Sequence, residues 1–263
     1  MVEKALHFDN NSKIYDEVRP GYPQEIYETI SKHKNLDENS RILEIGAGNG
    51  IASQEIYNNW QSKMVLLEPG KNLCELLYNR FKNNKNIEVK NGFFEQYESA
   101  YLFDVIISAT AFHWLDLSVK YKRSYDLLKK DGLLILYWNN YGIENKDIAE
   151  NIQEVYIKYG YGTDDGKSQY EKQIEKIESR KKEILDNDMF ELIEHKIVKN
   201  VIEYTAENYL NLLKTFSDHI KMEESFFEEI IEIIKDNGNI IEVRALINLE
   251  IGKKKVEKGG HFI

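Results

Sequence analysis

Residues Ile42–Gly50 read ILEIGAGNG. A short apolar run of β type, Arg41 to Ile45, ends in Gly46-x-Gly48-x-Gly50. Glycines at such a point let the backbone turn sharply and let a ligand approach with no Cβ in the way. A helix is predicted from near Ile51, its first amides facing the carboxyl edge of a sheet, where open α/β sheets bind ligands. The spacing discriminates between cofactors. A dinucleotide fingerprint, Gly-x-Gly-x-x-Gly, needs a glycine at position 51, and that residue is Ile51. The third glycine comes one residue early, and Glu44 precedes the first by two. A second apolar run, Met64 to Leu67, closes on Glu68. A carboxylate at a strand end, about 20 residues past the glycines, is placed to accept both hydroxyls of a ribose. Taken singly, the glycines also read as a tight turn packing a helix on a strand, and Glu68 as a solvated strand end. In register, the two support one another.

Outward from this stretch the chain alternates short and long elements. Ile87–Val89, Asp104–Ala109 and Leu133–Trp138 are further apolar runs of strand length, suited to strands buried on both faces of a parallel sheet. Between them, Leu73, Leu76, Leu77 and Phe81 follow the spacing of one helix face. A second amphipathic segment is predicted over Ser118–Lys130, with Gly132 as its stop. Such alternation predicts a doubly wound α/β sheet with helices on both faces. In the second half, Ile148, Ile152, Val155, Tyr156 and Tyr159 make a helix stripe. A polar loop, Gly160–Gln169, then leads to a mostly charged segment, Tyr170–Leu185. Its thin apolar stripe suits a surface or lid helix. Two β-like stretches, Ile197–Tyr204 and Ile240–Ile251, flank a helix carrying Phe226, Phe227, Ile230, Ile231 and Ile234. They would bring the sheet to seven strands. The expected organisation is a ligand-binding domain over 1–143 and 187–263, with a helical lid over 144–186.

The composition narrows the function classes. The chain of 263 residues carries a formal net charge of −10, which opposes a phosphate backbone as the main partner. One cysteine, Cys74, excludes an internal disulfide and suits a reducing cytoplasm. No stretch approaches the roughly 20 apolar residues of a membrane span, and the first residues show no signal-peptide core. His7, His33, His195, His219 and His261 are scattered, with no metal-ligand spacing, so no metal site is expected.

The motif E-x-G-x-G-x-G after a first strand, with an acidic residue closing the second, resembles the class I S-adenosylmethionine-dependent methyltransferases. Further motifs follow in the family's order. Tyr15-Asp-Glu-Val-Arg19-Pro20-Gly21-Tyr22-Pro23 is similar to a Y-x-x-x-R-P-x-Y-P segment of one branch. Asn91-Gly92-Phe93-Phe94-Glu95 falls where that family's third-strand loop holds adenine. Ala109-Thr110-Ala111-Phe112-His113-Trp114 is similar to the A-x-A-F-H-W run of small-molecule enzymes near the trans-aconitate type. The likeness covers about residues 12–140 and is looser beyond.

The resemblance implies a Rossmann-like methyltransferase fold, S-adenosylmethionine as cofactor, and a small-molecule acceptor, a carboxylic acid among the candidates. It places Gly46, Ala47 and Gly48 along the methionine part, within the motif that also holds Glu44 and Gly50. Glu68, followed by Pro69, would hold the ribose, and backbone near Phe94 the adenine edge. Carbonyls near Ala109 and Thr110, next to Ala111, would take the methionine ammonium. Arg19, four residues after Tyr15, would meet the cofactor carboxylate or an acidic substrate. Phe93 stands where many relatives carry a polar reader of the adenine amino group, so stacking or backbone contacts would replace it.

Methyl transfer needs alignment and exclusion of water more than it needs a nucleophile on the enzyme. A base matters only for an acceptor that must lose a proton. His113 is the candidate base, its imidazole range suiting proton transfer. Substrate contact and packing against Trp114 are its other readings. Two rival functions stay open at the level of sequence: a nicotinamide or flavin oxidoreductase on a similar sheet, and a cofactor-binding protein without turnover.

Overall fold

The computed structural model describes residues 18–256 of the chain. Tyr15, an expected cofactor contact, lies outside the described residues, as do His7 and His261. The expected seven strands are present in one sheet: β1 (Arg41–Ile45), β2 (Lys63–Glu68), β3 (Ile87–Asn91), β4 (Phe103–Ala109), β5 (Leu128–Ile143), β6 (Phe190–Thr205) and β7 (Ile240–Lys254). Their spatial order is β3-β2-β1-β4-β5-β7-β6. The pairs from β3 through β5 are parallel, while β7 runs antiparallel between β5 and β6. The strand order reverses between β1 and β4, and that switch point opens a crevice at the carboxyl ends of the strands.

The helices are α1 (Gln24–His33), α2 (Ile51–Trp60), α3 (Lys71–Phe81), α4 (Leu117–Leu127), α5 (Lys146–Lys158), α6 (Gln169–Leu185), α7 (Ala206–Lys214) and α8 (Glu224–Asp236). Alternation along each strand sends side chains to opposite faces. Ile42, Met64, Leu66, Val105 and Ile107 pack with Ile26, Ile30, Ile56 and Phe81 of α1, α2 and α3. Leu43, Ile45, Val65, Leu67 and Ile106 pack on the other face with Tyr121 of α4 and Ile184 of α6. A third cluster joins α5, α7 and α8 to the far ends of β5 and β7 through Ile152, Leu212, Phe226 and Val243.

Several boundaries differ from the sequence reading, among them the start of β6, which lies at Phe190 instead of Ile197. The helix expected over Ser118–Lys130 ends at Leu127, because Leu128 already pairs with Phe103 in the sheet. The strand expected over Leu133–Trp138 runs on to Ile143. Asn139, Asn140 and Gly142 interrupt its apolar pattern, and pairing with β7 carries it through them. There Asn140 Nδ2 donates to Asn248 Oδ1 at 2.8 Å and to the Leu246 carbonyl at 2.9 Å. The charged helix α6 opens with a capping box between Ser168 and Glu171. It lies along the sheet with Gln173, Ile177 and Ile184 buried.

Candidate active site

The turn after β1 is built from glycines with separate reasons. Gly46 has φ +69°, and a Cβ there would lie 2.4 Å from that of Ala111. Gly48 has φ +59°, and its Cβ would meet no atom within 4 Å. Its missing side chain therefore opens the crevice instead of relieving a clash. Gly50 is different again, because a Cβ would strike Leu77 and Phe81 of α3 at 2.8 and 2.9 Å.

Glu68 closes β2 and is buried at 5% exposure. Its Oε2 accepts from the Gly48 amide at 2.9 Å and its Oε1 from the Gly70 amide at 2.8 Å. The carboxylate thus ties the glycine turn to the turn after β2. The cavity beside it measures about 310 Å³ and is lined by Gly46, Gly48, Glu68, Pro69, Phe93 and Phe94, with Ala109–Ala111 opposite. That lies within the usual range of small-ligand pockets, about 300–1,000 Å³. A smaller cavity of about 50 Å³ adjoins it and is lined by Arg19, Glu44, Ala47 and Thr110 among others. Gly50 is absent from the linings of both; its role is packing against α3.

Thr110 follows β4 at φ +57°, a costly conformation for a β-branched residue. Its amide donates to the Tyr137 carbonyl at 2.8 Å, its hydroxyl pairs with the Tyr22 hydroxyl at 3.0 Å, and the Asn139 amide donates to its Oγ1 at 3.3 Å. Such over-determination fixes the strained turn at the crevice wall. Arg19 donates from Nε to Thr215 Oγ1 at 2.8 Å, and its guanidinium lies 4.6 Å from the centre of the Phe216 ring. The loop after α7 is thereby held beside the small cavity.

Glu44 is fully buried; the Ser53 hydroxyl is the polar side chain beside its carboxyl, and among the described residues no cation pairs with it. Burial pushes its pKa up to about 8, and the charge of Glu68 pushes the same way. A ligand cation at the small cavity would relieve both costs. Between about 4.5 and about 8 the folded chain holds a proton that the unfolded chain has released, so this contribution is lost as pH rises through about 8.

His113 sits in the short turn Phe112–Trp114, exposed, outside the lining of the larger cavity, with its ring 4.3 Å from that of Trp114, which does line it. The Trp138 indole Nε1 donates to His113 Nδ1 at 3.1 Å. In the neutral ring the proton then rests on Nε2. That tautomer donates from Nε2, so a base role would require the Trp138 bond to break.

Sequence reasoning missed Asn49, Leu73, Glu95, Trp114 and Leu115, all of which line the larger cavity. Glu95 was legible as a polar residue two positions beyond Phe93. Phe94 is buried at 2% exposure among Leu43, Ile45 and Leu67, so what remains for a ligand is mainly its backbone. Among the described residues no cluster of His, Cys, Asp or Glu could hold a metal, and no helix is long and apolar enough to cross a membrane.

This sheet order, with its glycine turn and strand-end carboxylate, defines the Rossmann-like fold of the class I S-adenosylmethionine-dependent methyltransferases. A family model described as ribosomal RNA adenine dimethylase matches residues 23–109. A candidate methyltransferase of Dictyostelium discoideum is 29% identical over 157 residues, 59% of this chain and 57% of that protein. A Saccharomyces cerevisiae protein named as a probable S-adenosylmethionine-dependent methyltransferase is 29% identical over 171 residues, 62% of this chain and 57% of its own length. The matched region thus spans little more than half of these relatives. A candidate type II methyltransferase structure from Anaeromyxobacter dehalogenans superposes with a TM-score of 0.66 at 14% identity, covering 89% of this chain and 97% of that one. Haemonchus contortus phosphoethanolamine N-methyltransferase 2, in complex with S-adenosylhomocysteine, superposes at 0.51 with 16% identity over 94% of this chain and 58% of that one.

Proposed function

We propose that this chain transfers a methyl group from S-adenosylmethionine to a small-molecule acceptor. The observation that carries the reading is the Glu68 carboxylate, held by two backbone amides at the wall of the crevice. The protein fits the cofactor at two further points. Gly48 leaves open the space a Cβ would fill, and Glu44 offers a cation a buried carboxyl that no cation pairs with among the described residues. Bound there, the cofactor would supply a methyl group on an electrophilic sulfonium. The residues of the chain do the rest. Glu68 would accept the ribose hydroxyls, Arg19 would meet a carboxylate, and Ala109–Ala111 would border the reacting end. Glu95, on the cavity wall, supplies the acceptor for an adenine amino group that Phe93 cannot.

We assign the catalytic neighbourhood to His113 as a donor and shape-setter, on the strength of the Trp138 bond. Replacing His113 with Asn should lower kcat by less than about tenfold while KM rises more, whereas loss of a true base costs about 10²–10⁴ in rate. A larger fall in kcat, with loss of the pH-profile limb near the imidazole range, would restore the base role.

Residues 144–186 are proposed as the cover of the site. The buried side of α6 anchors it on the sheet, which leaves the loop before it as the part that moves. The family match to a ribosomal RNA enzyme ends at residue 109, within the cofactor half. The net charge of −10 favours a small acceptor over RNA, and the lone cysteine suits the cytoplasm.

Calorimetry tests the reading. S-adenosylhomocysteine should bind and NAD should not. Burial pushes the Glu44 carboxyl up to about 8, so it should hold a proton near pH 7, and binding of the ligand ammonium beside it should release that proton. Apparent enthalpies should then vary with the ionisation enthalpy of the buffer, and Glu44→Gln should remove the variation. No binding of S-adenosylhomocysteine would sink the methyltransferase reading. Binding without proton release would remove Glu44 from the ammonium site.

A further inference from the structure

Arg19 meets the loop after α7 at residues 196 and 197 positions further along the chain. The Thr215 hydroxyl has one hydrogen, and it goes to the Leu212 carbonyl at 2.6 Å. Toward Arg19 the same oxygen can therefore only accept, and it takes the Nε hydrogen at 2.8 Å. The Thr215 carbonyl accepts a second hydrogen, from Nη2 at 3.3 Å. Two bonds along one edge of a planar group fix its orientation as well as its position. Thr215 is buried at 1% exposure, so water has no room to stand in for its oxygen. The guanidinium also lies over two rings, 4.6 Å from the centre of Phe216 and 5.4 Å from that of Tyr141. Those rings pack 5.6 Å apart, and each aromatic face attracts the cation.

The loop is itself pinned. The Tyr156 hydroxyl of α5 pairs with His219 Nε2 at 2.5 Å, and His219 Nδ1 pairs with Asp218 at 2.9 Å. The His219 ring stands 5.3 Å from that of Phe216, and its amide donates to the Phe216 carbonyl at 3.1 Å. A path of contacts thus runs from α5 through His219 and Phe216 to Arg19. Arg19 in turn lines the small cavity of about 50 Å³, and Glu44 lines it too. A guanidinium and a carboxyl on one small cavity complement a zwitterion, one for each of its charges. Neither Thr215 nor Phe216 lines either cavity. Whatever they do for a ligand they do through Arg19.

We propose that Thr215 and Phe216 are positioning residues, which hold Arg19 at the cavity wall to receive the carboxylate of the cofactor's methionine part. For the identity of that carboxylate the inference rests on the methyltransferase reading. For the orientation of Arg19 it rests on the contacts of the loop. An arginine free to rotate pays its ordering cost when the ligand arrives, whereas one already fixed does not. The second half of the chain thereby tunes the affinity of a site built by the first.

Titration calorimetry on the full chain tests the role, with S-adenosylhomocysteine and 5′-methylthioadenosine as probes. The second keeps the adenosine and the thioether and lacks the amino-acid end. Thr215→Val keeps the shape without the acceptor. It should weaken S-adenosylhomocysteine by about tenfold, since a hydrogen bond from a charged group is lost. Its affinity for 5′-methylthioadenosine should stay within about twofold of the unaltered chain. Thr215→Ser returns the hydroxyl and should recover most of the loss. Phe216→Leu takes a ring from the guanidinium and should weaken S-adenosylhomocysteine by a few-fold. Arg19→Gln sets the ceiling. Adding Thr215→Val to it should cost nothing more, because a residue that acts through Arg19 then has nothing left to position. Equal losses for both ligands, unchanged S-adenosylhomocysteine affinity in Thr215→Val, or losses that add in the double variant overturn the proposal. Should the unaltered chain bind neither ligand, the cofactor reading falls and the proposal with it. Binding of both, with Thr215→Val neutral, strikes the positioning role alone.

Discussion

Replacing Glu68 with Ala should weaken S-adenosylhomocysteine binding by about a hundredfold or more. A charged acceptor contributes about 1.5–3 kcal/mol per hydrogen bond, and two ribose hydroxyls would lose theirs. The structure adds a second expectation. Glu68 already holds the Gly48 and Gly70 amides, one on each oxygen. An amide side chain has a single acceptor oxygen. Whichever way a Gln turns, its NH2 faces one of those backbone N–H groups, donor against donor. Glu68→Gln, the conservative change by size, should therefore lose nearly as much affinity as Glu68→Ala. Near-native affinity of either variant by calorimetry would take Glu68 out of the site.

Gly48→Val should abolish binding while leaving most of the stability. No atom lies within 4 Å of the added Cβ, so the Cβ itself meets no clash in the apoprotein. The cost is backbone strain at φ +59°, roughly 1–2 kcal/mol. For a domain of this size that lowers Tm by less than about 10 °C. The branched side chain then stands in the crevice where the ligand would pass. Gly50→Val makes the contrast, since its Cβ meets Leu77 and Phe81 below 3 Å and the loss should appear in stability first. A Gly48→Val protein that folds and binds S-adenosylhomocysteine normally would mean that this glycine serves only the turn.

The cofactor half of the fold was legible because its determinants are local in sequence. Ile42–Gly50 and Met64–Glu68 each carry a strand and a candidate ligand group within one short stretch. The exposed polar residues of the cavity were harder. Glu95 enters the wall because the short helical turn Phe94–Gln96 buries Phe94 and so sets which neighbours face the cavity. The Trp138–His113 bond joins residues 25 positions apart, and no periodicity announces it. The run Asn139–Gly142 lost its strand signal to polar residues whose partners, Asn248 above all, lie about a hundred positions away.

The order β5-β7-β6 also has a consequence for how the chain assembles on the ribosome. β7 is the strand made last, yet it occupies the slot between β5 and β6. While synthesis proceeds, β1 to β5 can complete a parallel sheet with its crevice formed. β6 then emerges with no strand to pair with, and α7 and α8 emerge with no finished surface to rest on. Only when Ile240–Lys254 follows do β5, β7 and β6 zip along their full registers. Until then the nascent chain carries an open edge on β5, the kind of edge that invites wrong partners. Helices α7 and α8 are thus seated in the last step of folding, after the glycine turn and its crevice are already in place.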